Sequence, residues 1–200
     1  QIGGSMNLKG IGQTGPDGGP FGGVIGYDFL SRFPMLIDYQ SHALTVFNPD
    51  HFTAPDGGKE IPFHLTMQVP TVAGELVGDT GSFIVDLGNA FGLIVHQRFA
   101  EQNELGKKLL DVHESAGVLG GVGGGVLGKS GFATEFHFGS AVVDSLRVMM
   151  PASSEGLAGS EELAGNIGNG ILQRFRPLFD YHHQRIILYP IEKTAEQKTP

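Results

Sequence analysis

Strand-like runs of apolar residues recur along the chain, separated by short polar turns. The pattern is clearest in the segment Phe132-Ala-Thr-Glu-Phe-His-Phe138, which has the two-residue period of a strand with one buried face. Other apolar runs are bounded by Gly, Asp and Pro, which also favours strands. The strands predicted in this way are Ile61–Met67, Thr71–Val77, Ser82–Asp86, Phe91–Val95, Phe132–Phe138 and Val142–Met150.

One stretch is helical rather than strand-like in its pattern. Gln97–Leu110 is predicted to be a helix, with Gly106 as the expected point of interruption and with Phe99, Leu105, Leu109 and Leu110 on its core face. The chain has 200 residues, of which 32 are Gly and 11 are Pro, so many tight turns are expected. The predicted fold class is therefore mostly β, with one or two short helices.

A segment of 17 residues occurs twice in the chain. Gly23–Tyr39 aligns without gaps on Gly165–Tyr181 at an offset of 142 residues, since 165 − 23 = 142. Nine of the 17 positions are identical, whereas ordinary residue usage gives about one identity by chance, so the segment is duplicated. The identical positions are Gly23, Ile25, Gly26, Leu30, Arg32, Phe33, Leu36, Asp38 and Tyr39.

Each copy is predicted to fold in the same way. A short apolar strand ends at a glycine, one helical turn follows, and a hairpin completes the copy. The hairpin strands are predicted at Met35–Tyr39 and Ala43–Phe47 in the first copy, and the return strand at Arg185–Tyr189 in the second. The residues expected to point inward after the glycine are Phe29, Leu30 and Phe33, or Ile171, Leu172 and Phe175.

Composition and charge exclude several classes of function. The net charge is −8 and there is no basic stripe, so nucleic acid is not an expected partner. Without cysteine, the chain has neither disulfides nor cysteine-based catalysis or metal sites. No apolar run is long enough for a membrane helix, and the eight histidines lack the spacing of a metal site. No membrane contact, metal or cofactor is therefore expected.

One constellation of residues points to chemistry. The apolar residues Phe83–Val85 lead into Asp86, a turn through Gly88 and a second apolar strand, and Asn166-Ile167-Gly168 follows much later. This order resembles one lobe of the pepsin-like and retropepsin-like aspartic proteases, in particular their bacterial two-lobe members. In that family a strand ends in Asp-Thr/Ser-Gly, and an apolar-apolar-Gly segment packs behind the catalytic loop.

The resemblance implies an aspartic-protease-like β-barrel lobe with short helices, preceded by the end of another lobe. Val24-Ile25-Gly26 would be the first lobe's equivalent of Asn166-Ile167-Gly168. The implied division of the chain is residues 1–49 as the tail of the first lobe, 50–60 as a linker, 61–192 as a complete second lobe and 193–200 as a tail.

The resemblance also implies an aspartic endopeptidase, in which two carboxyl groups share one proton and activate a water. Asp86 would be one of them. Its partner would lie 79 residues before Gly23, because 165 − 86 = 79, and so upstream of Gln1. The expected partners are a peptide or protein substrate, together with the missing first half of the N-terminal lobe or a second copy of the chain. No cofactor is implied, and a periplasmic or secreted location is expected.

Two features compete with this assignment. Asp79-Thr80-Gly81 spells the family triplet better than Asp86-Leu87-Gly88, but it falls between two predicted strands, where such residues are typical of a hairpin turn. Asp86 is therefore favoured. Leu87 stands where the family has Thr or Ser, and its side chain cannot hydrogen-bond. The alternative function is a catalytically inactive peptide-binding or structural relative with the same fold.

Three further features favour structural interpretations. Gly123–Ser130 matches a phosphate-binding P-loop, but the residues after it predict a strand where that motif needs a helix. His182 and His183 fall in a predicted hairpin turn, which favours solvent exposure over metal binding. Asp38 and Asp180 are equivalent in the repeat, which favours a structural hydrogen bond or ion pair.

Overall fold

The computed structural model describes residues 24–115, 127–152 and 162–191. Within them the chain is mostly strand with short helices, which confirms the predicted fold class. The helices are α1 (Tyr27–Leu30), α2 (Gln97–Gln102), α3 (Leu105–Lys108) and α4 (Asn169–Leu172). The strands are β1 (Met35–Asp38), β2 (Ala43–Val46), β3 (Lys59–Pro62), β4 (His64–Thr66), β5 (Val69–Leu76), β6 (Asp79–Val85), β7 (Leu93–Val95), β8 (Leu110–Ser115), β9 (Gly128–Phe138), β10 (Ala141–Pro151), β11 (Gly165–Ile167), β12 (Phe175–Asp180) and β13 (Arg185–Pro190).

Six of these strands close into a barrel. Their order is β5, β6, β11, β7, β10 and β9, and β9 pairs with β5 to complete the circle. Strands β4 and β8 extend the same sheet from β5 and β9. Large apolar side chains fill the interior, because every second residue of a barrel strand points inward. Buried examples are Phe83, Leu93, Phe136, Phe138 and Ile167.

The two repeated hairpins lie side by side in a second sheet of five strands, ordered β2, β1, β12, β13 and β3. Strands β1 and β12 are antiparallel, with Met35 opposite Phe179 and Leu36 opposite Leu178. Leu36 and Leu178 are equivalent in the repeat, since 36 + 142 = 178. Equivalent residues face each other across a two-fold axis. A local two-fold axis therefore relates the hairpins and passes beside this leucine pair.

The prediction of one strand at Ile61–Met67 is wrong. Strand β3 pairs with β13 in the five-stranded sheet, whereas β4 pairs with β5 in the barrel. Phe63 lies between them, so the chain changes sheets at this residue and the strand divides. Alternation of apolar residues carries no information about which sheet a strand joins.

The turn predicted at Gly78–Gly81 lies two residues too late. The turn is formed by Val77 and Gly78, both of which have positive φ. Two-residue turns of this kind match the twist of a hairpin. Asp79 consequently begins β6, opposite Leu76 of β5.

The predicted helix Gln97–Leu110 is divided, and the break precedes Gly106. The Asn103 side chain donates to the Phe99 carbonyl at 2.9 Å, at the end of α2. Glu104 has φ of 50°, a left-handed conformation that interrupts a helix. The second half, α3, leads into β8, a strand that the sequence pattern did not predict. Leu110, predicted on the core face of the helix, begins this strand and is 56% exposed.

The side chains predicted to point inward after the repeated glycine do so in the second copy. In the first copy, not all of them do. Ile171 and Leu172 of α4 are fully buried in the barrel core. Their equivalents in α1 are Phe29, which is exposed, and Leu30, which is half-buried. The described residues form a barrel around the second copy alone.

Several predictions fall outside the described residues. These include residues 1–23, the tail 193–200 and the first part of the glycine-rich P-loop match. The last part of that match, Gly128–Ser130, lies in β9 rather than before a helix. The division of the chain into lobes stays a prediction, and Lys59 of the predicted linker already belongs to β3.

A buried histidine joins the barrel to α2. The backbone N–H of His96 donates to the Ala164 carbonyl at 2.9 Å, and its carbonyl accepts from Ala100. Its Nδ1 lies 3.0 Å from the Leu163 carbonyl and is the donor, since a carbonyl only accepts. Burial lowers the pKa of His96, although the hydrogen bond to Leu163 opposes the shift. His96 is therefore a neutral donor in the folded chain.

We expect the folded chain to lose stability in acid through His96. The unfolded chain binds this proton at about pH 6.5, and the folded chain only at lower pH. The free energy of unfolding therefore falls as the pH drops below about 6.5. Urea titrations at about pH 7.5 and 5.5, on either side of that pKa, should show this fall, and His96→Asn should reduce it. His64→Asn, at an exposed histidine of β4, is the matched control. An undiminished fall in His96→Asn would contradict the assignment.

Candidate active site

The loop that carries Asp86 lies at the ends of three barrel strands. It comprises residues 86–92, between β6 and β7. Strand β11 lies between those two strands, parallel to β6 and antiparallel to β7. The Asp86 N–H donates to the Ile167 carbonyl at 2.9 Å, just beyond the last pair of β6 and β11. The segment Asn166-Ile167-Gly168 thus packs directly against the Asp86 loop.

Two N–H groups hold the Asp86 carboxylate. The Gly88 N–H donates to Oδ1 at 2.8 Å, and the Asn166 side-chain amide donates to Oδ2 at 2.9 Å. Hydrogen bonds to an ionised acceptor are stronger than those between neutral groups, so these fix the plane of the carboxylate. The side chain is half-buried and remains accessible to solvent. Both of these donors are amide N–H groups, so in the described part of the chain no second carboxyl group donates to this carboxylate.

The amide that holds Asp86 is itself oriented by a buried asparagine. The Asn89 side chain donates to Asn166 Oδ1 at 2.9 Å, and its own Oδ1 accepts from the Phe91 N–H at 2.8 Å. Each amide accepts at its oxygen and donates from its nitrogen, so the order of bonds is consistent. A continuous series of hydrogen bonds therefore runs from the loop backbone through Asn89 and Asn166 to Asp86.

Close packing against the loop requires a glycine at position 168. A Cβ at Gly168 would lie 2.3 Å from the Phe91 carbonyl oxygen and 2.5 Å from Asn89 Cγ. The Gly168 N–H also donates to the Gly92 carbonyl at 2.8 Å. Gly26, its equivalent in the first copy, has nothing within 4 Å of the corresponding position. The repeated glycine is thus sterically necessary in the second copy as described.

Tyr39 of the first repeat copy is linked to the Asp86 loop through Asn169. The Tyr39 hydroxyl donates to Asn169 Oδ1 at 2.6 Å, and the Asn169 amide donates to the Leu87 carbonyl at 2.7 Å. Burial raises the pKa of Tyr39 to about 12, so the hydroxyl keeps its proton and donates. The Leu87 side chain packs against the core and offers no hydroxyl. The contact with Asn169 is made by the backbone carbonyl of Leu87 and not by its side chain.

The competing aspartate lies at the other end of β6. Asp79 begins that strand, and Asp86 follows its last residue. Asp79 Oδ2 accepts from Lys108 Nζ at 2.6 Å, in an ion pair between β6 and the end of α3. The two aspartates therefore occupy different surroundings, and Asp86 alone is in the loop between β6 and β7.

The repeated aspartates hold the hairpins, which confirms their structural interpretation. Asp38 pairs with Arg176 of the other copy, with Nε and Oδ2 3.1 Å apart. The backbone N–H of Ser41 is the main cause that lowers the pKa of Asp38. Asp180 is fully buried and accepts from Arg185 Nε at 3.0 Å. A carboxylate at this position thus caps a turn and pairs with an arginine in each copy.

The adjacent histidines lie in the exposed turn between β12 and β13, as predicted. His183 Nδ1 lies 2.8 Å from Asp180 Oδ2. Across residues 24–115, 127–152 and 162–191, no group of three or more His, Asp or Glu side chains could hold a metal ion. Nor does any helix in those ranges have the length and apolar character needed to cross a bilayer.

Sequence reasoning missed the polar residues that support the loop. Asn166 stands where the first copy has Val24, so a polar residue in an otherwise apolar strand was the available signal. Asn169 and Tyr39 carried no such signal, because their contact joins residues 130 positions apart. Asn89 also carried no such signal, because its contact with Asn166 joins residues 77 positions apart.

Solved structures that resemble the chain include two aspartic proteases. One, the crystal structure of a retropepsin-like aspartic protease from Rickettsia conorii, has a TM-score of 0.46 and 15% identity over 66% of this chain and 91% of that one. The other, an aspartic proteinase from Irpex lacteus, has a TM-score of 0.46 and 12% identity over 84% of this chain and 58% of that one. This chain therefore spans less than two thirds of the second structure. No protein-family model and no curated protein matches the sequence.

Replacing Gly168 with alanine should destabilise the fold. The new Cβ would overlap Asn89 and the Phe91 carbonyl, and overpacking of this kind costs about 1–3 kcal/mol. Gly106→Ala is the matched control, because a Cβ on that helical glycine meets nothing within 4 Å. This substitution should raise the free energy of unfolding by at most about 1 kcal/mol. Urea denaturation measures both, and equal effects would contradict the close packing.

Removing the Tyr39 hydroxyl should cost about 1 kcal/mol, the usual contribution of one hydrogen bond. The loss should overlap with that of Asn169→Ala, because both variants remove the same contact. Tyr189→Phe also removes a hydrogen bond, to the Pro55 carbonyl, but should be additive with Asn169→Ala. A double-mutant cycle from urea denaturation separates the cases. Additive behaviour of Tyr39→Phe would contradict the link.

Proposed function

We propose that the chain forms the second lobe and part of the first lobe of an aspartic endopeptidase, with Asp86 as one of two catalytic carboxyl groups. The observation that carries this proposal is the held, half-buried carboxylate of Asp86 at the end of a barrel strand. A carboxylate fixed in this way and open to solvent is suited to accept a proton from a bound water.

The chemistry requires a second carboxyl group. Two carboxylates in contact cannot both ionise cheaply, so the pair keeps one proton. The ionised member removes a proton from water, and the water oxygen bonds to the peptide carbonyl carbon. The protonated member donates to the carbonyl oxygen as negative charge develops there. Transfer of a proton to the amide nitrogen then breaks the C–N bond and releases two peptides.

The local two-fold axis supports a partner aspartate in an equivalent loop. The axis relates the hairpin that follows α1 to the hairpin that follows α4. In the second copy the helix packs behind the loop of Asp86, and Asn169 of that helix holds Leu87. An equivalent loop behind α1 would belong to the first lobe and would carry the partner aspartate. The substrate is then a peptide bound between the lobes.

Leu87 supports a second candidate, a catalytically inactive relative that binds peptides. Its apolar side chain packs against the core, where a hydroxyl would be available for a hydrogen bond in the resembling family. In this alternative the network around Asp86 preserves the shape of the loop without supporting turnover. The two candidates differ in one measurable property, which is cleavage of a bound peptide.

Asp86→Asn should abolish peptide cleavage in the protein that carries both lobes. Loss of a general base lowers kcat by about 10²–10⁴-fold, and asparagine cannot take the proton. Asp79→Asn is the matched control on the same strand. It removes only the surface ion pair with Lys108, which contributes about 0–1 kcal/mol, so turnover should stay unchanged. Cleavage of a peptide library followed by mass spectrometry measures both variants.

The results separate the two candidates. Unchanged turnover in Asp86→Asn, or loss of turnover only in Asp79→Asn, would overturn the assignment of Asp86. Binding of peptides by the unmodified two-lobe protein without cleavage would favour the inactive relative.

A further inference from the structure

Apolar residues of the first repeat copy are exposed where their equivalents are buried. In the first copy four such residues are 38–63% exposed, whereas the equivalent residues of the second copy are at most 1% exposed. The difference is not in the sequence, because both copies are apolar at these positions. The difference lies in the structural elements that cover these residues in each copy. The pairs are Ile25 and Ile167, Phe29 and Ile171, Leu44 and Ile186, and Val46 and Leu188.

The second copy shows which elements provide the cover. Ile167 lies in β11, between β6 and β7, and Ile171 faces the barrel core. Gly168 is packed against the loop that joins β6 and β7. In the described residues, Ile25 and Gly26 have no flanking strands of this kind. A segment that covers the first copy must therefore supply equivalents of β6 and β7.

The outer edge of β2 presents backbone groups that have no strand partner among the described residues. Along an antiparallel pair of strands, residues that bond to the partner strand alternate with residues whose N–H and C=O groups point away from it. The Phe47 N–H donates to the Pro34 carbonyl at 2.9 Å, so Phe47 is a bonded position in the pairing of β1 with β2. Thr45 consequently bonds to β1, and the N–H and C=O groups of Leu44 and Val46 point to the open edge. Among the described residues, β1 is the sole strand partner of β2.

The equivalent edge of β13 is occupied by β3. The Phe63 N–H donates to the Gln184 carbonyl at 2.9 Å, so the same alternation places the backbone groups of Ile186 and Leu188 on β3. Ile186 lies opposite Ile61 in this pairing. The groups that are open in the first copy are therefore the groups that bond a neighbouring strand in the second.

We propose that β2, together with the apolar face of α1, is the docking surface for a half-lobe built on the plan of strands β3 to β10. Its leading strand pairs antiparallel with β2 as β3 pairs with β13, with an apolar residue opposite Leu44. A second copy of this chain does not fit the surface, because its own strands β3 to β10 already cover its β13 and α4. The proposal rests on the two-lobe arrangement proposed above and assigns the surface on which the lobe is completed.

Amide hydrogen exchange in the chain by itself tests whether the edge is open. Leu44 and Val46 should exchange rapidly, and Ile186 and Leu188 at least about 100-fold more slowly, since a paired amide must open before it exchanges. Light scattering gives the oligomeric state of the same sample. Protected Leu44 and Val46 in a monomer would mean that the chain covers its own edge, and in a dimer that a second copy does. Either result would overturn the proposal.

Disulfide trapping tests the register, because the natural sequence has no cysteine. The protein carries Leu44→Cys, and the probe is the peptide Gly57–Phe63 with Ile61→Cys. The control peptide carries Glu60→Cys, whose side chain points to the other face of the strand. The control protein carries Leu110→Cys, at an exposed leucine of β8, which also ends a sheet.

The Leu44→Cys protein should form about tenfold more adduct with the first peptide than with the control peptide, since only facing cysteines meet the geometry of a disulfide. The Leu110→Cys protein should show no such preference. Equal yields at Leu44→Cys would overturn the proposed register. Neither measurement uses catalysis, so failure of the peptidase proposal in the Asp86→Asn experiment would leave these results intact.

Discussion

The insertion of β11 between β6 and β7 is the constraint on which the candidate site depends. Strand β11 begins 80 residues after the end of β6 and 70 after the end of β7, since 165 − 85 = 80 and 165 − 95 = 70, and backbone pairing holds the three strands in one register. Strand β11 passes behind the Asp86 loop. The side chain of Asn166 in this strand, and Gly168 directly after it, therefore reach that loop. The carboxylate is therefore positioned by the barrel itself rather than by a flexible surface turn.

Much of this arrangement was predictable because the chain repeats itself. The two hairpins and the helical turns follow from aligning Gly23–Tyr39 on Gly165–Tyr181. The packing of the segment near Asn166 behind the Asp86 loop was implied by the family resemblance. Asp86 could be preferred over Asp79 because an apolar strand precedes it. In the structure Asp79 begins a strand and pairs with Lys108 rather than lying within the predicted turn, and the assignment of Asp86 stays a prediction.

Other features were not predictable because they depend on contacts between distant residues. Nothing local marks Phe63 as the point where the chain changes sheets, since that depends on the strands it meets. The left-handed conformation of Glu104 is one that a non-glycine residue seldom adopts. The hydrogen bond from Tyr39 to Asn169 joins the two copies. The tyrosine is repeated in the second copy, but the asparagine is not repeated in the first.

The facing leucines Leu36 and Leu178 have a consequence for the history of the chain. Two identical subunits that meet around a two-fold axis place each residue near the axis opposite its own counterpart. The pairing of β1 with β12 has this form within a single polypeptide. It is the geometry expected when gene duplication and fusion convert a contact between two subunits into a contact inside one. Leucine stands at both positions of this junction, although eight of the 17 aligned positions differ between the copies.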